Sequence, residues 1–168
     1  MIDKNADLAF VRHYNSKHGG AFPLWVMMEM FSFGALVYFY QDLHKNDKKD
    51  IALHYYGFDY RLVENWLEKL AGLRNHCAHY NRVYANALPW ELRTLELTSP
   101  VEYTVGVNST LFDFFVAMRM LHKRCDWGDS LVVVLETLFA EYSDVVDPSV
   151  LGFTVEWHRF FTDKLQSD

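Results

Sequence analysis

The chain has 168 residues, of which 51% are hydrophobic and 17% aromatic, and this composition excludes a disordered or low-complexity protein. The formal net charge is −6 and the sequence pI about 5.7, which argues against a generic basic coat for nucleic acid but allows a small basic pocket. The two cysteines, Cys77 and Cys125, form no disulfide framework, and the N-terminus has no signal-peptide pattern. We therefore expect a cytoplasmic protein with a single domain over residues 1–168.

The first part of the chain predicts two helices. Ala6–His18 is a short helix, and the longer apolar run Phe22–Tyr40 must be tested as a membrane span. Glu29 would place a carboxylate near the bilayer midplane, where it is costly, so we predict a central helix buried on nearly all sides and no membrane. A buried Glu29 would need a partner, for which Arg74 or His79 is suitable.

A second region predicts the longest helix. The polar segment Gln41–Asp50 is predicted as a turn that leads into a short helix over Ile51–Tyr56. Asp59 is a good N-cap, and we expect the helix behind it to continue to about Tyr84. Apolar side chains recur at steps of three and four residues along this helix: Leu62, Val63, Trp66, Leu67, Leu70 and Leu73.

The last part of the chain is mainly helical as well. Residues 88–107 form either a short hairpin around Ser99-Pro100 or a long ordered loop. Thr110 and Asp113 are predicted as a capping box that opens a helix over Leu111–Arg124. A further helix is expected over Asp129–Tyr142, with these side chains inward: Leu131, Val134, Leu135, Leu138 and Phe139. The sum is an all-α helical bundle.

Polar groups concentrate at the end of the long helix, in the stretch from Leu73 to Arg82 (LRNHCAHYNR). In helical geometry Asn75 and His79 share a face, whereas Arg74 lies roughly 140° around and about 7.5 Å along from His79. His76 and His79 are three apart and could touch one metal ion, but a zinc site usually needs three or four ligands. We therefore expect neither metal nor cofactor, and we expect Cys77 to be a small core residue.

Arginine, amide and imidazole groups together suit an anionic phosphodiester. Arginine matches phosphate with a planar fork of donors, and histidine exchanges protons near neutral pH. RNA carries its own nucleophile, the 2′-hydroxyl, so that its cleavage needs a base, an acid and stabilisation of the phosphorane, but no metal. One His79 cannot easily be both base and acid. A homodimer would supply two copies, one for each role.

Two other readings of this stretch remain open. Arg74 could pair with Glu29 and serve only to hold the bundle together. The bundle could also bind RNA or a protein partner without cutting it.

The same residues resemble a known family. Arg74-Asn75-x-x-x-His79 is similar to the arginine-polar-x(3)-histidine motif of HEPN (higher eukaryotes and prokaryotes nucleotide-binding) domains. The segment 23–34 (PLWVMMEMFSFG) resembles the P-x-W-x-x-x-E-x-x-S-F-G segment of Abi-like abortive-infection proteins of the AbiD/AbiF type. Residues 66–84 resemble their W-L…L-R-N-x-x-A-H-x-x-R-x-[WY] segment. Gly152-Phe153 with Trp157 resembles their closing G-F-P-x-x-W, with Thr154 in place of the proline.

The resemblance, which runs from about Phe10 to Phe161, implies a HEPN-like bundle that acts on RNA in bacterial defence against phage. Carried over by position, it implies that Arg74, Asn75 and His79 are the catalytic residues of an endoribonuclease. The supporting positions of the same segments are Glu29, His76, Tyr80, Asn81 and Arg82. Members of the family are usually longer at the N-terminus, so we expect this chain to be a short homologue or a fragment.

Overall fold

Helices dominate the structure, a computed structural model that describes residues 5–98, 102–122 and 128–162. The prediction of a mainly α-helical fold is confirmed, with one small two-stranded sheet added to it. Within the described residues, no helix combines the length and the apolar character that crossing a bilayer requires. Contacts divide the chain into two units, Met1–Asp42 and Leu43–Asp168.

The first unit contains three short helices: α1 (Ala9–Lys17), α2 (Leu24–Met28) and α3 (Phe33–Asp42). The prediction of one helix over Phe22–Tyr40 is therefore wrong. The helix breaks at Ser32, which accepts a hydrogen bond from the Ala35 N–H at 3.2 Å and starts a new helix. The apolar pattern of the sequence continues across this break and therefore does not reveal it. The prediction that this region is buried on nearly all sides is also wrong, since Trp25 and Tyr38 are 68% and 69% exposed.

Glu29 illustrates the consequence of that break. It lies at the C-terminal end of α2, in the turn before α3, and its side chain is exposed. The prediction of a buried carboxylate is wrong, and an exposed Glu29 does not require a buried cationic partner.

The second unit begins with α4 (Lys45–Ile51), which continues into a π-helical turn over Ala52–Tyr56. Gly57 ends the turn in the left-handed conformation, with φ of 73°. The polar segment 41–50 is thus mostly helical, whereas we predicted a turn. Its lysine Lys48 is tied to the next helix by an ion pair with Glu64 at 3.0 Å.

The long helix α5 (Tyr60–Ala78) forms the centre of the second unit. Its predicted N-cap is confirmed, because Asp59 accepts a hydrogen bond from the Arg61 N–H at 2.9 Å. The predicted apolar stripe is buried apart from Leu67, which is half-buried. Trp66 is fully buried and its indole N–H donates to the Arg93 carbonyl at 2.9 Å, which fastens the following segment to the helix.

The hairpin is the correct alternative for residues 88–107. Strands β1 (Leu95–Leu97) and β2 (Tyr103–Val105) pair antiparallel, with Leu95 opposite Val105 and Leu97 opposite Tyr103. The predicted turn at Ser99-Pro100 lies outside the described residues.

The capping box at the start of α6 (Leu111–Leu121) is confirmed, with the Thr110 N–H donating to Asp113 at 2.7 Å. Asp113 is 2% exposed, and it also accepts hydrogen bonds from the Tyr103 hydroxyl at 3.0 Å and the Gly106 N–H at 2.9 Å. This carboxylate therefore fastens the hairpin to α6. The predicted end of the helix, at Arg124, lies outside the described residues.

Helix α7 (Gly128–Glu141) follows, then a 3₁₀ turn (Pro148–Leu151) and α8 (Arg159–Thr162). The predicted inward face of α7 is partly wrong. Leu135 is buried, but Val134 and Leu138 are exposed, because the helix turns Gly128 and Val132 inward instead. The hydrophobic pattern does not distinguish the buried face from the exposed face, because apolar residues occur on both faces of the helix.

Candidate functional site at the C-terminal end of helix α5

Helix α5 ends at Ala78, so the prediction that it continues to about Tyr84 is wrong. The chain leaves the helix through paired hydrogen bonds typical of a Schellman motif. The Tyr80 N–H donates to the Cys77 carbonyl at 3.0 Å, and the Asn81 N–H donates to the His76 carbonyl at 3.1 Å. Tyr80 occupies the left-handed position, with φ of 58°, where glycine is usual.

The three predicted catalytic residues lie in and just after the last turn of α5, and all three are exposed. The Arg74 guanidinium donates to the Asn75 side-chain oxygen at 3.1 Å. The His79 N–H donates to the Asn75 carbonyl at 3.1 Å. Asn75 thus orients the arginine with its side chain and holds His79 with its backbone, while the His79 ring keeps both nitrogens available among the described residues.

His76 has a different position from the other polar residues of this stretch. Its ring nitrogen Nε2 lies 3.1 Å from the Arg82 carbonyl oxygen, and its ring meets the Trp90 ring edge to face at 5.5 Å between centroids. It therefore fixes the loop that follows α5. No group of three metal-ligating side chains occurs in residues 5–98, 102–122 and 128–162.

The loop after His79 is held mainly through Arg82. The Arg82 carbonyl accepts a second hydrogen bond, from the Asn86 amide at 3.3 Å, and Arg82 Nε donates to the Tyr84 carbonyl at 2.9 Å. Tyr80, Asn81 and Arg82 are all exposed. We call the exposed residues Arg74, Asn75 and His79–Arg82 the Arg74–Arg82 surface; the remaining supporting position of this unit, His76, is half-buried.

Two anchors of this loop were not predicted. The Tyr84 hydroxyl accepts a hydrogen bond from the Asp147 N–H at 3.0 Å. Trp90 packs so closely on Gly72 that a Cβ added there would lie 2.8 Å from the indole ring. A glycine inside a helix was the one available signal, because such a glycine often marks a close approach.

The prediction of Cys77 as a core residue is wrong, since its thiol is exposed on the outer face of the last turn.

The local charge differs from that of the whole chain. Residues 69–90 contain Lys69, Arg74 and Arg82 and no aspartate or glutamate. The C-terminal end of a helix carries a partial negative charge, which by itself repels an anion. The full charges of two exposed arginines exceed that partial charge, and the capped carbonyls of the last turn reduce it further. At the far side of the loop, hydrogen bonds from Ser149, first from its side chain and then from its N–H at 2.9 Å, lower the pKa of the Asp147 carboxyl.

A cavity of about 340 Å³ is lined by Val83 and residues 85–88 of this loop, together with residues 108–111 and 150–151. Its volume is in the range of small-ligand sites. The loop therefore has open space on one side in addition to the exposed arginine and histidine surface.

Comparison with known proteins places these residues in a family. The model of the Abi-like protein family matches residues 1–85, half of the chain, a stretch that includes all of α5 and the Arg74–Arg82 surface. The match ends before Gly152–Trp157, so the resemblance of that closing segment stays a prediction. No curated protein and no solved structure matches the chain. With the motif segments at 23–34 and 66–84 inside the matched region, the chain belongs to the Abi-like protein family.

Proposed function

We propose that this bacterial protein is a metal-independent endoribonuclease that works as a homodimer in the cytoplasm. Its membership of the Abi-like family supports a general role in abortive infection, as a defence against phage. The observation that carries the proposal is the exposed arrangement of Arg74, Asn75 and His79 at the end of α5, with the guanidinium held by the amide at 3.1 Å. A reducing compartment also suits the exposed thiol of Cys77.

The exposure of these residues favours a reactive site over a purely structural one. An arginine that only held the bundle together would be buried against its partner. Arg74 instead donates to its neighbour and presents its remaining N–H groups to solvent, where a phosphate can approach them. No aspartate or glutamate lies between positions 69 and 90, which favours the approach of a phosphodiester to this stretch.

The proposed reaction uses the RNA 2′-hydroxyl as nucleophile. One His79 takes the 2′-proton while the 2′-oxygen attacks the adjacent phosphorus, and Arg74 donates to the charged non-bridging oxygens. The bond from phosphorus to the 5′-oxygen breaks, and the second copy of His79, in its protonated form, donates a proton to that oxygen. The products are a 2′,3′-cyclic phosphate and a 5′-hydroxyl.

Asn75 is assigned a positioning role. Its amide oxygen is occupied by the Arg74 guanidinium, so that its direct effect falls on the direction of the arginine fork. An Asn75→Ala variant is therefore expected to retain dimerisation and to lose activity in part.

The test is cleavage of single-stranded RNA in EDTA by wild type, Arg74→Ala and His79→Ala. Matched controls are Arg93→Ala and His54→Ala, which remove an exposed side chain of the same type elsewhere in the second unit. Wild type and both controls should cleave, and the two site variants should lose activity by roughly 100-fold or more. Light scattering on each sample should give twice the 19.8 kDa chain mass.

Four outcomes would change the conclusion. Cleavage that survives both site substitutions would identify a contaminant or another site. RNA binding without cleavage in every sample would leave a binding module. A cleaving monomer would contradict the composite site, as would full activity of a mixed dimer carrying one His79→Ala chain.

A further inference from the structure

Among the described residues of the second unit, Tyr80 is the most exposed large hydrophobic side chain, with 98% of its surface accessible to solvent. A single exposed aromatic residue is ordinary in a soluble protein. What distinguishes Tyr80 is its backbone, because a bulky residue with φ of 58° pays a conformational penalty that glycine would avoid. The fold thus keeps a tyrosine at the one position of the Schellman motif where glycine is favoured.

The packing of the protein does not account for this tyrosine. Ser109, which also has a positive φ, is 7% exposed and accepts a hydrogen bond from the Leu92 N–H at 2.9 Å, so its conformation is supported by a contact. The Tyr80 ring makes no hydrogen bond or ring contact with the part of the chain that the structure describes. A residue whose strained backbone is not compensated by contacts within the protein suggests that its side chain contacts a ligand.

The surroundings of Tyr80 indicate what the ring contacts. It follows His79 directly in the chain and precedes Asn81 and Arg82, on a segment free of acidic residues. At 98% exposure its ring lies in solvent, and only the helix cap His79 separates it from the last turn of α5, which carries Arg74 and Asn75. Aromatic rings next to backbone-binding cations are the usual means of holding a single-stranded nucleic acid, because every base presents a flat face for stacking.

We propose that Tyr80 is a positioning residue on which a base of single-stranded RNA stacks, next to the phosphate held by Arg74. The inference rests on the proposed function and adds a contact to the base, where the arginines contact only the backbone. Stacking fixes the nucleotide and thereby aligns the 2′-hydroxyl for attack. Its effect is independent of base identity, since the ring makes no hydrogen bond to a base edge.

The test uses binding in place of cleavage. A fluorescein-labelled single-stranded RNA with 2′-fluoro sugars lacks the nucleophile and stays intact, and a matched probe with abasic positions keeps the phosphates and removes the bases. Fluorescence anisotropy is recorded for wild type, Tyr80→Phe and Tyr80→Gly. Tyr55→Ala serves as a control, because Tyr55 is an exposed tyrosine of the same unit, 63% accessible.

We expect wild type, Tyr80→Phe and Tyr55→Ala to bind the base-bearing probe at least about fivefold more tightly than the abasic probe. Tyr80→Gly should lose that difference and bind both probes at the level of the abasic one. Because glycine relieves the backbone penalty, the same variant should melt about 2 to 4 °C above wild type. A variant that is more stable and yet binds RNA less well is not explained by misfolding.

The results that would contradict the stacking role differ from those that would contradict the proposed RNA site. Equal binding of the base-bearing probe by Tyr80→Gly and wild type would overturn the stacking role and leave the ribonuclease proposal intact. Equal binding of both probes by wild type would do the same. Failure of wild type to bind either probe would overturn the proposed RNA site, and the stacking role with it.

Discussion

Replacing His76 distinguishes the loop anchor from the proposed reactive histidine. The ring makes two contacts: a hydrogen bond to the Arg82 carbonyl at 3.1 Å and an edge-to-face contact with Trp90 at 5.5 Å. The hydrogen bond contributes about 0.5 to 1.5 kcal/mol, and the ring pair a similar amount. His76→Ala should therefore lower the free energy of unfolding by about 1 to 3 kcal/mol.

A second variant separates the two contributions. His76→Phe keeps a ring against Trp90 and removes the hydrogen bond, so that it should lose only about 0.5 to 1.5 kcal/mol. His79→Ala is the matched control, since its ring is exposed and should change stability by less than about 0.5 kcal/mol.

Urea unfolding followed by circular dichroism measures these differences. With an m value of about 2 kcal/mol/M, the midpoint of His76→Ala should fall by about 0.5 to 1.5 M, with the slope unchanged. The reasoning is refuted if His76→Ala unfolds at the wild-type midpoint, or if His79→Ala is destabilised to the same extent. Either result would mean that the two histidines do not divide into an anchor and an exposed reactive group.

Three further substitutions test the scaffold. Gly72→Ala should lower the free energy of unfolding by about 1 to 3 kcal/mol, because the added Cβ would lie 2.8 Å from the Trp90 ring and this overlap outweighs the gain of about 1 kcal/mol in helix propensity. Calorimetry should show a lower melting temperature, and a higher one would contradict this packing. Asp113→Ala should cost about 3 to 5 kcal/mol in urea unfolding, because the side chain accepts hydrogen bonds from the hairpin and from the helix cap; a loss below about 1 kcal/mol would show that the network contributes little. Burial, followed by the charge of Asp113, raises the pKa of Tyr103 well above its ordinary value near 10, so the folded state keeps the phenolic proton that the unfolded state releases. This contribution is complete below pH 10 and is lost as the pH rises above it, so the decline in stability at alkaline pH should be shallower in Tyr103→Phe than in wild type.

The elements that were predicted correctly are those whose signals are local. The Asp59 cap and the Thr110–Asp113 capping box depend on residues within one helical turn, so that their sequence determines their structure. The stripe that buries Trp66 follows from helical periodicity alone. The mainly α-helical class was predictable for the same reason.

The errors share one physical cause. Apolar periodicity shows which residues favour burial, but it shows neither where a helix ends nor which partner covers it. It therefore missed the break at Ser32 and the exposed face of α7. The end of α5 was hidden because Tyr80, a residue rarely found in the left-handed conformation, takes the position that glycine would have marked.

The end of α5 determines which side chains the proposed RNA site can use. A buried extension of the helix to Tyr84 would have spread Asn81 and Arg82 around a cylinder, whereas the Schellman turn folds them back beside the last turn. The surface then offers two arginines, Arg74 and Arg82, on a chain of net charge −6. Two phosphate contacts on a single strand correspond to a slope of about −1.4 in the logarithm of affinity against that of salt concentration. In the proposed RNA complex, so shallow a slope would leave most of the affinity to contacts with sugars and bases, and the proposed stacking on Tyr80 would then contribute more than additional positive charge.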